Sequence, residues 1–66
     1  MDIFSWAEQF PNADYYDMHT GRIYEVSAYT RAKKMGLPIN FIRVTENGKE
    51  IGVVYEPEGY EYVPEE

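Results

Sequence analysis

Sixty-six residues, six of them Lys or Arg and twelve Asp or Glu, carry a formal net charge of −6, with no cysteine and one histidine, His19. Disulfides and a Cys/His structural zinc site are therefore excluded. The charge disfavours non-specific binding to a phosphate backbone, which depends on counterion release to Lys and Arg, and disfavours an anionic membrane surface equally. At 44% hydrophobic and 17% aromatic residues the chain is too apolar for disorder. A single domain of this size buries only about 60% of the surface exposed by its unfolded chain, so its stability is modest. No apolar run approaches the ~20 residues of a membrane span, and Asp2 stands where a signal peptide carries a basic residue. A cytoplasmic location is the expectation.

In chain order, residues 2–10 read as a short helix. Ile3, Ala7 and Phe10 fall at i, i+4 and i+7, Asp2 suits the positive end of the helix dipole, and Pro11 ends the pattern. Phe4 and Trp6 lie partly off that stripe, so one of them is expected to be exposed.

Residues 14–26 read as a β-hairpin around Met18-His19-Thr20-Gly21, with Gly21 supplying a positive φ. A four-residue loop sets Asp17 opposite Arg22, Tyr16 opposite Ile23 and Tyr15 opposite Tyr24. A three-residue loop would shift every pair by one.

Residues 27–36 carry signals for a helix at both ends. Ser27 is the expected N-cap, Gly36 the residue at C′, and Pro38 follows. Ala28, Tyr29, Ala32 and Met35 share the expected packing face.

Residues 39–56 form a second hairpin around Asn47-Gly48, the sequence signature of a type I′ turn. Strict alternation from that turn opposes Glu46 with Lys49, Val44 with Ile51, Ile42 with Val53 and Asn40 with Tyr55. Ile42, Val44, Ile51, Val53 and Tyr55 then face the core, and Phe41, Arg43, Thr45, Glu50, Gly52 and Val54 face outward. Gly52, in mid-strand, marks a bulge, a twist or the close approach of another chain. Residues 57–66 are an acidic, Tyr-rich tail in which Pro57-Glu58-Gly59 reads as a turn, Tyr60 to Val63 as a short fifth strand, and the last three residues as a frayed end. The whole predicts one α+β domain of order α-β-β-α-β-β, an antiparallel sheet of two hairpins with helices packed on one face.

Chemistry-bearing constellations are sparse. His19 beside Asp17 has the composition of a general base with its orienting carboxylate, but no nucleophile accompanies it, and a solvated loop histidine is the plainer reading. Glu56, Glu58 and Glu61 lack the spacing of a calcium loop. The five glycines are dispersed and form no phosphate cradle. Arg31, Lys33 and Lys34, half of the basic residues, complement the C-terminal end of the second helix. No catalytic residue, metal or cofactor is expected.

The seven tyrosines are the most informative feature. A core this small cannot bury so many phenol hydroxyls without partners, so they act either as amphipathic lids over a thin sheet or as exposed interface residues. A protein-binding module is therefore expected, with Glu46, Glu50, Glu56, Glu58, Tyr60, Glu61 and Tyr62 facing the partner. In its sharper form the acids, Glu65 and Glu66 included, imitate phosphates and inhibit a nucleic-acid-binding protein. The alternatives are a single-stranded nucleic-acid binder that stacks bases on Tyr and Phe41 with Arg31, Lys33, Lys34 and Arg43 on phosphates, and, last, an enzyme with a site shared between subunits. Free sheet edges also invite self-association.

Overall fold

In the computed structural model, which describes residues 3–56 and, by backbone, 60–62, the sheet is organised around the Asn47-Gly48 turn. Asn47 at φ 55° and Gly48 at φ 78° give the left-handed pair that a type I′ turn requires. They join β3 (Phe41–Glu46) to β4 (Lys49–Tyr55), with Glu46 opposite Lys49. The first hairpin, β1 (Tyr15–Asp17) and β2 (Arg22–Tyr24), has the four-residue loop: Asp17 pairs with Arg22, Tyr16 with Ile23 and Tyr15 with Tyr24. Gly21 adopts φ 79°, and its N–H donates to the Asp17 carbonyl at 2.8 Å. The expected fifth strand is β5 (Tyr60–Tyr62), paired antiparallel with β4. All five strands form one antiparallel sheet in the order β1-β2-β3-β4-β5. The expectations of a turn at residues 57–59 and of fraying at 64–66 lie outside the described residues.

Two helices complete the domain, α1 (Ile3–Gln9) and α2 (Val26–Lys34). The core is small: Ile3 and Ala7 from α1, Val26 from α2, Ile42 and Val44 from β3, and Val54 from β4. Aromatic rings extend it. Trp6 meets Tyr15 edge-on at 5.2 Å, Tyr15 meets Tyr24 at 5.8 Å, and Phe4 meets Tyr29 at 5.5 Å. These edge-to-face contacts tie α1 to the first hairpin and to α2. Both Phe4 and Trp6 pack against the core, whereas one of them was expected outside. The exposed residue is Phe10, which leans on Trp6 at 5.1 Å rather than entering the core.

The start of α2 departs from the sequence pattern. Val26 does not end the first hairpin; it opens the helix and is completely buried. Ser27 therefore lies inside the first turn instead of capping it. The cap is supplied from 13 residues away: Asp14 Oδ1 accepts from the Ser27 N–H at 3.0 Å and from Ser27 Oγ at 2.8 Å. A carboxylate there satisfies a free helix N–H and meets the positive end of the dipole. The other end behaves as the sequence implies. Gly36 at φ 79° donates to Lys33 O at 3.0 Å, and Leu37 donates to Ala32 O at 3.1 Å, which is the Schellman pattern. Met35, expected on the packing face, is exposed at this cap.

The second hairpin corrects the expected core face. Thr45 pairs with Glu50, but Val44 pairs with Gly52, so Ile51 is the extra residue of a β-bulge, the first of the readings offered for Gly52. Beyond the bulge Ile42 opposes Val54, Arg43 opposes Val53 and Phe41 opposes Tyr55. Val54 is buried and Tyr55 exposed, the reverse of strict alternation. Ile51 still packs against the core.

Truncating the strip at Ile42→Ala should cost about 2–5 kcal/mol in urea unfolding, enough to leave much of so small a domain unfolded. Asp14→Ala should cost about 1 kcal/mol with the secondary structure retained, measured by circular dichroism melts.

Candidate protein-binding surface

Residues directly opposite each other on neighbouring strands share a face of the sheet, so the pairing sorts the side chains. Tyr15, Tyr24, Val44, Ile42 and Val54 fall on the face packed against the core. The other face carries Tyr16, Ile23 and Thr45 in one row, Arg43 and Val53 in the next, and Phe41 and Tyr55 in a third. Tyr16 is 61% exposed and Tyr55 39%. Ile23, Phe41 and Val53 are partly buried. The Phe41 and Tyr55 rings meet at 6.4 Å with an interplanar angle of 64°. On β5, Tyr60 occupies the register position opposite Tyr55, and Tyr62 that opposite Val53.

The described tyrosines thus divide into core lids and solvent-exposed side chains. Tyr15, Tyr24 and Tyr29 pack against the core as lids, and Tyr16 and Tyr55 do not.

The acidic residues expected at the interface are spread over the sheet. Glu46, at the end of β3, pairs with Arg22 at 3.5 Å. Glu56, just after β4, pairs with Lys33 of α2 at 3.3 Å, and that lysine lies 5.6 Å from the Tyr29 ring centroid. Glu50 is exposed on β4 beside the bulge. Glu61 takes the register position opposite Val54. Glu58 lies outside the described residues. The pairing of β4 with β5 brings Tyr60, Glu61 and Tyr62 beside the end of β4, near Glu56; Glu46 and Glu50 sit at the other end of the hairpin. Two of the expected contact acids are thus tied to cations within the fold.

Sequence reasoning placed Phe41 and Arg43 on the outward face but assigned Val53 and Tyr55 to the core. The one-residue bulge moved both, and Gly52 was its visible signal. The remaining constellations stay local. Asp17 Oδ1 accepts from the backbone N–H of His19 at 2.9 Å, not from its imidazole, and His19 is exposed. Thr20 Oγ1 accepts from the Arg22 N–H at 3.2 Å. Asp17 and His19 therefore stabilise a loop and form no oriented acid-base pair. Among the described residues no three His, Cys, Asp or Glu side chains are grouped to hold a metal ion. No helix there is long and apolar enough to cross a membrane.

Tyr16→Ser and Tyr55→Ser should each shift folding stability by no more than about 0.5–1 kcal/mol in urea titrations. Tyr24→Ser, on the core face, should cost clearly more. No protein-family model, curated protein or solved structure matches the chain.

Proposed function

We propose that the chain is a small acidic protein-binding module whose contact surface is the face of the sheet opposite the core, and that its partner is a basic protein. The observation that carries this reading is the placement of Tyr16 and Tyr55 in solvent beside the half-buried Ile23, Phe41 and Val53. Rigid aromatic and aliphatic side chains on one face have the composition of an interface centre. The charge of −6 supplies the complementarity: it attracts a basic surface and opposes close approach of a second copy.

An inhibitor that imitates DNA is the sharper form of this reading. It draws support from the five acids at Glu56 and beyond. The Arg22–Glu46 and Lys33–Glu56 pairs weigh against these two carboxylates standing in for phosphates. Single-stranded nucleic acid is the second reading, favoured by the Phe41 and Tyr55 rings beside Arg43 on an open sheet. The overall charge works against it.

The test is capture from source-cell lysate on the tagged chain, with and without nuclease, alongside a Val53→Thr/Tyr55→Ser double variant and a Met35→Gln control. A basic protein retained after nuclease by the chain and by the control, but lost by the double variant, is the expected result. Retention of the same protein by all three would remove the sheet face from the proposal. Recovery of nucleic acid alone would move the rings onto bases.

A further inference from the structure

At the edge of the proposed contact face lies a cavity of 180 Å³ between α2 and the start of β3. Ala28 and Ala32 of α2 line it together with the Tyr29 and Phe41 rings and Ile39. Among the described residues Glu25 is the only carboxylate on its walls, and Arg43 the only cation. The volume lies below the roughly 300–1,000 Å³ of small-molecule sites and is on the scale of one side chain.

Glu25 is held firmly. It follows β2 and occupies the N-cap position of α2, its N–H donating to Arg43 O at 2.9 Å and its carbonyl accepting from the Tyr29 N–H at 3.4 Å. Its carboxylate meets Arg43 Nε at 3.3 Å, with both side chains partly exposed. A guanidinium on an apolar stem matches these walls. The two alanines leave room for the methylenes, Tyr29 and Phe41 are aromatic residues of the kind on which a guanidinium stacks, and the carboxylate accepts in a planar fork.

We infer that this cavity is the anchor socket for an arginine side chain of the partner, and that Arg43 holds Glu25 in its place until the partner binds. The socket rests on the protein-binding reading and narrows it: the basic partner inserts an arginine at the rim of the sheet face. The arriving guanidinium takes the place of Arg43 at Glu25, and Arg43, already half-exposed, turns into solvent, where its charge is screened. Arginine is also among the residues that most often dominate interface energetics.

The experiment uses the free protein and small probes, so its failure is distinct from failure of the capture assay. N-acetyl-arginine-N-methylamide is titrated while backbone amide NMR signals are followed, with the uncharged citrulline analogue in parallel. The expected result is concentration-dependent shifts at Glu25, Ala28, Ala32 and Phe41 with the arginine probe only. Glu25→Gln should abolish them. Arg43→Gln, which removes the internal competitor, should strengthen binding by up to about fivefold, the worth of an exposed ion pair. Both substitutions are on partly exposed side chains, and thermal melts verify that the variants are folded. Equal shifts with citrulline, unchanged binding in Glu25→Gln, or shifts spread evenly over all the acidic residues would overturn the socket.

Discussion

Where β3 passes from Thr45 to Val44, β4 advances from Glu50 to Gly52, and the disposition of the open face depends on that extra residue. The type I′ turn sets the register at Glu46 and Lys49. Unbroken alternation from there would carry Val53 and Tyr55 into the core. The bulge at Ile51 places Val54 against Ile42 instead and turns Val53 and Tyr55 outward, while Ile51 keeps its contact with the core. Burying Val54 costs no hydrogen bond, whereas a buried Tyr55 would have to find a partner for its hydroxyl. Gly52, without a side chain, sits where a bulge is easily accommodated.

Only six apolar residues are buried among those described, so the domain completes its core with rings. Phe4, Trp6, Tyr15, Tyr24 and Tyr29, all partly buried, pack their rings against it. This arrangement suits a short chain, because an aromatic ring covers much surface for few ordered torsions. It also explains why a seven-residue helix survives: α1 is held by Ile3 and Ala7 in the core and by Trp6 and Phe4 against Tyr15 and Tyr29.

Charges serve the fold as connectors. Arg22–Glu46, Arg43–Glu25 and Lys33–Glu56 link neighbouring strands, and α2 to the end of β4. Exposed pairs of this kind contribute about 0–1 kcal/mol each, so their larger effect is to orient the side chains that frame the sheet face. Asp14 has a different role. Its two bonds to Ser27 close the start of α2 across a long stretch of chain and fix the helix relative to the first hairpin.

Local chemistry was enough for much of this architecture. Asn47-Gly48 and Gly21 specify their turns because few residues accept positive φ, Gly36 specifies the end of α2 for the same reason, and alternating apolar residues mark β3 and β4. The order of elements follows from those signals, which allow a fifth strand and leave two registers open for the first hairpin. The folded chain takes the four-residue loop there, and three other features were decided only in it. Val26 left the hairpin for the helix because burying it completely outweighs one more strand residue. Asp14 displaced Ser27 as cap because a side chain distant in sequence lies beside the helix end. The bulge chose Val54 over Tyr55 for the core because pairing across strands, not spacing along one of them, determines which parity is buried. The acids of the expected interface were legible by type, but the ties of Glu46 to Arg22 and of Glu56 to Lys33 join residues far apart in the chain and arise only in the fold.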